Sequence, residues 1–293
     1  MRKYNWLIAL LLIASLALAA CGGATTTQEP GAGEEATGAV EEMPEEEVEP
    51  PAGGEEVGGE GGNLPDLGGR TITVAVENAY PPFNMIDEGS GEAVGWDYDA
   101  VREICERINC VPEFRQAAWD GIFPAMAAGE YDMLADGATI TAERDETVDF
   151  SIPYVTVGQT LLVRADETRS VEDMQADAEA LVGTQIGTTN AIVAKENFPA
   201  ERVQEFEDFG AAVLALISGD VDAVVIDNIS ALGFMEENEG QLQVSGQLTS
   251  DEQLGFVFPP DSDLIPAVNA ALEAMAADGT LDELNRTWGL VSE

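Results

Sequence analysis

The sequence predicts an α/β protein of two lobes joined by a hinge, and three observations carry that prediction. From residue 70 onward, short β-branched apolar runs alternate with segments whose apolar residues recur at helical spacing, the pattern of a mostly parallel sheet covered by helices. The alternation occurs twice, once up to about residue 156 and again from residue 181. Between the two series an apolar strand over 159–163 leads away from the first, so that strands run from one module into the other, as hinged two-lobe proteins require.

The N-terminal residues stand outside that pattern. Arg2 and Lys3 precede an apolar run from Trp6 to Leu18 that closes with Ala19-Ala20-Cys21, the layout of an export signal over 1–20. The run is short for a membrane span of about 20 residues. Leu18-Ala19-Ala20-Cys21 also resembles a bacterial lipobox, which implies cleavage before Cys21, a lipid on its thiol and anchoring to a membrane. Residues 21–69 are rich in Glu, Gly and Pro and nearly devoid of large apolar side chains, so this stretch is expected to be a disordered acidic tether.

The ordered elements follow. Thr71-Ile72-Thr73-Val74-Ala75-Val76 reads as a buried strand, and Pro81-Pro82 holds the next segment out of a helix. Val101, Ile104, Cys105 and Ile108 give a helix over 100–108, with a strand over 111–114 behind it. A second helix opens at Trp119-Asp120-Gly121 and ends at Gly129, before a strand over 132–135. In the second series, strands are expected over 181–186, 203–206 and 221–226, with helices over 190–197, 211–218 and 228–238. A strand over 254–258 and helices over 264–277 and 281–288 close the chain.

Composition removes several function classes. The net charge of −44 divides into +2 over 1–20, −13 over 21–69 and −33 over 70–293, so even the ordered part repels nucleic acid and anionic lipid. With no histidine, the commonest general base and metal ligand is missing, and neither a metal nor a cofactor is expected. Cys105 and Cys110 make a poor zinc site without a second pair; in an exported chain they could form a disulfide or remain two core thiols.

Asp132 to Tyr154 carries the most information. The apolar Met133-Leu134-Ala135 gives way at Asp136-Gly137 to a turn, and Thr139 and Thr141 lead into a short helical turn ending at Arg144. An arginine offers a rigid fork suited to a carboxylate, although pairing with Glu143 or Asp149 on the surface is the plainer role. The phrase G-x-T-I-T-x-E-R followed by V-D-F-S-x-P-Y resembles the signature of the family 3 extracellular solute-binding proteins. AYPPF, Gly95-Trp96-Asp97, VGTQIGTT, DAVVID and ADGTLDEL extend the resemblance over about 70–290.

The resemblance implies the bilobal periplasmic-binding-protein-like fold, with lobe 1 formed by 70–156 and 252–293 and lobe 2 by 157–251, hinged near 158–162 and 251–255. It implies an amino acid ligand handed to the permease of an ABC transporter, on the extracytoplasmic side, by a protein that is not an enzyme and acts as a single copy. Arg144 and Thr189 match donors to the ligand α-carboxylate. Gly137, Thr139 and Asp227 match groups facing its ammonium. Tyr80 and Trp119 match aromatic positions that sandwich the side chain, and Glu77, Asp136 and Gln185 match positions that vary with specificity. Two acids beside two aromatic rings favour a basic side chain, arginine ahead of lysine. The rival from another class is a cyclohexadienyl or arogenate dehydratase on the same fold, whose carboxylate-bearing substrates Glu77 and Asp136 would repel.

Overall fold

The computed structural model describes residues 64–290. The expected export signal, Cys21 and the tether as far as residue 63 lie outside the described residues.

The first sheet grows from β1 (Arg70–Val76), whose Ile72, Val74 and Val76 are fully buried, as β-branched residues between two covered faces should be. Three short antiparallel strands follow where the sequence suggested only a loop: β2 (Ala79–Tyr80), β3 (Asn84–Ile86) and β4 (Ala93–Val94). Helix α1 (Trp96–Ile108) starts four residues earlier than apolar spacing indicated. Its first N–H groups are satisfied by the turn before it, Trp96 N to Pro82 O and Asp97 N to Phe83 O, so no side-chain cap is needed. Next come β5 (Cys110–Gln116), parallel to β1, then α2 (Ile122–Ala127) and β6 (Met133–Leu134). Cys105 and Cys110 are joined by a disulfide linking the last turn of α1 to the first residue of β5.

After a 3-10 turn at Arg144–Glu146 come β7 (Asp149–Phe150) and β8 (Val155–Val157). The second lobe then runs β9 (Gln159–Arg164), α3 (Val171–Ala176), β10 (Val182–Gln185), α4 (Thr189–Asn197), β11 (Val203–Phe206), α5 (Phe209–Ser218), β12 (Ala223–Asp227), α6 (Asn228–Glu237) and β13 (Leu242–Gln247). The chain returns through β14 (Glu252–Leu254) and β15 (Val257–Phe258) and ends in α7 (Ile265–Asp278) and α8 (Thr280–Thr287). Both final helices pack on α1. Trp96 donates its indole N–H to Asn285 at 2.8 Å and Trp288 donates to Asp99 at 3.0 Å.

Two five-stranded sheets result, ordered β5-β1-β6-β15-β7 and β11-β10-β12-β9-β13. The chain crosses between them twice, through β8 and through β14, and these two strands pair antiparallel as a separate ribbon. This corrects the first hinge: 159–164 is already β9, inside the second sheet, and the crossing strand is Val155–Val157. It also divides the strand expected over 254–258 into β14 and β15, interrupted at Gly255, where the backbone passes close to Ile140. The tether boundary also moves. Leu64 and Leu67 pack against the core, and Leu67 N donates to Ile108 O at 2.8 Å, so order begins before residue 70. Among the described residues no helix is long and apolar enough to cross a membrane, and no cluster of three or more acidic or cysteine side chains could hold a metal ion.

Candidate functional site

Parallel strands deliver side chains to the cleft at their C-terminal ends, as open α/β sheets do. Glu77 follows β1, Asp136 follows β6, Gln185 closes β10 and Asp227 closes β12. Together with Tyr80, Trp119, Gly137, Thr139, Arg144 and Thr189 they line one pocket between the two sheets. All ten ligand-binding residues expected from the sequence are therefore brought together. Thr188, Asn190 and Phe209 also line the pocket and were not foreseen.

Arg144 does not pair with Glu143 or Asp149. It opens the 3-10 turn rather than ending a helical one. From there its guanidinium donates to Thr139 O at 2.8 Å and Gly187 O at 3.5 Å, and lies 4.3 Å from the Phe123 ring centroid and 5.4 Å from that of Trp119. Carbonyls and ring faces orient the charge without neutralising it, and burial lowers its pKa to about 10. Beside it, helix α4 presents its N-terminus: Thr188 caps the Ala191 N–H at 3.1 Å, and the Thr189 hydroxyl lies 3.2 Å from that of Thr139. An anion is favoured at this end of the pocket.

Asp227 marks the other polarity. Burial raises its carboxyl to about 6, while Tyr80 O–H and Asn190 Nδ2, the latter at 2.9 Å, donate to its two oxygens and hold the anion. It does not cap α6 with its side chain. The aromatic sandwich expected of Tyr80 and Trp119 takes a different form. Tyr80 already stacks on Phe83 at 5.1 Å and on Phe209 of the other lobe at 5.7 Å, and Trp119 faces Arg144. Gly137, at φ +53°, sits against the Tyr80 ring edge, where any Cβ would collide.

Glu77 and Asp136 are both buried, 7% and 4% exposed, so neither points to bulk water. Gln185 Nε2 reaches across the cleft to both Glu77 oxygens, at 2.8 and 3.0 Å. Asn84 Nδ2 donates to Asp136 at 2.7 Å. Burial pushes Glu77 up to about 7, and burial together with the charges of Glu77 and Asp97 pushes Asp136 well above the usual carboxylate range.

The two lobes therefore meet through Tyr80 with Asp227 and Phe209, Gln185 with Glu77, and Thr139 with Thr189. Arg144 also reaches Gly187 O of the second lobe, and away from the pocket Gly233 of α6 lies against Pro81, where a Cβ would stand 3.0 Å from the Pro81 carbonyl group. Phe209 was missed because the helix was started at Ala211. Asp208, which accepts from Ala211 N at 2.7 Å, is the cap that would have placed Phe209 in the first turn.

Residues 72–291 match the family of bacterial extracellular solute-binding proteins, family 3. The chain is 33% identical over 222 residues to the ABC transporter glutamine-binding protein of Bacillus subtilis, covering 74% of this chain and 80% of that one. An ancestral arginine-binding protein is similar in structure, both bound to arginine (TM-score 0.67, 37% identity) and bound to glutamine (TM-score 0.69, 36% identity), with 74% of this chain and 97% of that chain covered. An ancestral amino acid-binding protein, a precursor of cyclohexadienyl dehydratase, matches at TM-score 0.67 and 35% identity, covering 74% of this chain and 94% of that one. With three quarters of its length matched, this chain belongs to the family 3 bacterial extracellular solute-binding proteins.

Proposed function

We propose that this protein is the substrate-binding component of an amino acid ABC importer, held at the outer face of a membrane through Cys21, and that its ligand is a basic amino acid, arginine ahead of lysine. The observation that carries the ligand class is the charge of the pocket lining, one basic side chain, Arg144, against three acidic ones, Glu77, Asp136 and Asp227. An α-amino acid places its carboxylate on Arg144 and the α4 N-terminus and its ammonium on Asp227. That leaves two buried carboxyl groups for the side chain, and a cation is the group that makes both ionised forms favourable. Arginine is preferred to lysine because its planar fork can serve two carboxylates at once. Each lobe grips the same ligand, so the ligand favours the closed arrangement.

Two neighbouring readings have support of their own. Relatives that bind glutamine, together with the raised pKa of Asp136, favour a neutral carboxyl that donates to a side-chain carbonyl. The dehydratase reading has the similarity to the enzyme's ancestral precursor behind it, but a carboxylate-bearing ring would face Glu77 and Asp136. Competition calorimetry with arginine, lysine, histidine, glutamine and glutamate separates the amino acid readings. Arginine is expected to bind most tightly, and glutamine or glutamate binding ahead of it ends the basic-ligand assignment. Formation of an aromatic product from prephenate would instead mark an enzyme.

A further inference from the structure

We propose that Asp97, acting through the amide of Asn84, controls the charge of Asp136, so that the pocket takes a cationic amino acid side chain in exchange for a proton. This rests on the basic-ligand reading above.

Asp97 lies in the first turn of α1, behind the pocket, and is completely buried. It touches no pocket space. Its hydrogen-bonded link to the site is a single side chain, and its charge also acts on Asp136 directly. Asn84 accepts from Asn78 N through Oδ1 at 2.7 Å, which fixes the amide orientation and turns Nδ2 toward the acids. Nδ2 then divides its two hydrogens between Asp97 Oδ2 at 2.9 Å and Asp136 Oδ1 at 2.7 Å. One neutral amide thus bridges two buried carboxyls. The remaining oxygen of Asp97, Oδ1, is buried without a partner. A buried carboxylate with an unsatisfied oxygen is costly, and a proton on one member of the pair relieves that cost.

The surroundings supply no compensating cation. Asp136 faces Glu77 after β1, Asp97 on α1, and the rings of Tyr80 and Tyr154. Asp97 faces Asn84, Tyr154 and, along its own helix, Tyr98, behind which stands Arg102. The Asn84 amide and the α1 N-terminus favour an ionised Asp97, and burial outweighs them. Burial raises Asp97 to about 7, the same region as Glu77. The free pocket therefore retains protons near neutrality that the complex gives up to solvent when a guanidinium arrives. Affinity for the cation must rise as the pH increases through this range and fall as it decreases, by up to about tenfold per pH unit for each proton exchanged.

Calorimetric titration of the native protein with L-arginine, in buffers of different ionisation enthalpy between pH 5.5 and 8.5, should show net proton release near pH 7. In Asp97→Asn, Asp136 loses a repelling neighbour and ionises more readily, so the affinity profile should move to lower pH by on the order of one unit. Asp97→Leu removes the charge and the unpartnered oxygen together and carries the same expectation. Arginine binding to the native protein without proton release overturns the inference, as does an unmoved pH profile in either variant with only the melting temperature changed, the mark of a purely structural Asp97. No arginine binding to the native protein removes the basic-ligand reading itself and this inference with it.

Discussion

Arg144 and Asp227 place opposite charges in one pocket, each held by groups that orient without neutralising it, and the proposed function sets them at opposite ends of one ligand. Truncating either one strands a ligand charge in a closed cleft. Arg144→Ala and Asp227→Ala should each weaken binding by about 2–5 kcal/mol. Calorimetry on folded variants checks this, and near-native affinity in either one removes that residue from the clamp. Both residues were legible in the sequence because they stand in phrases with fixed context, a strand end for Asp227 and the G-x-T-I-T-x-E-R run for Arg144. The aromatic arrangement was not, since which face of Tyr80 remains free depends on Phe83 and on Phe209 across the cleft. Asn84 and Asp97 sat inside recognisable phrases, yet the amide that links them to Asp136 exists only after β3 and α1 are folded together.

At the scale of elements, most helices were readable from the sequence and the small strands before α1 were not. Helices α5, α6 and α7 fall within two residues of their expected bounds at either end, because Gly219, Asn238 and Gly279 mark where they stop. β2, β4 and β7 have two residues each, too few for any period to register, and their pairing comes from tertiary contact. The segment from Leu64 to Gly69 was hidden differently. Its Gly, Pro and Asp continue the composition of the tether, but its two leucines pack against the core and Leu67 N bonds the last carbonyl of α1. A chain beginning at residue 70 should therefore be less stable than one beginning at residue 62 by about 1–2 kcal/mol, the scale of partly burying two leucines. Denaturant titration of the two chains tests this, and equal midpoints would return the segment to the tether.

At the scale of the molecule, β8 and β14 are the only strands among the described residues that carry the chain between the two sheets, so the contacts between lobes decide how often the cleft is shut. Most of those contacts also line the pocket, but the approach of α6 to Pro81 does not, and it relies on the missing side chain of Gly233. Gly233→Val should hold the lobes apart and weaken binding about tenfold or more, since overpacking costs about 1–3 kcal/mol. Titrating the variant with arginine, lysine and glutamine in turn is the measurement, and unchanged affinity for all three shows that the contact does not limit closure. Apparent affinity is the intrinsic affinity scaled by the fraction of molecules competent to bind. On the proposed reading, discrimination belongs to Glu77 and Asp136, while the Pro81–Gly233 contact acts as a volume control. Turned down, it should quiet every ligand by the same factor and leave their ranking untouched, giving evolution or an engineer one knob for sensitivity and a separate one for selectivity.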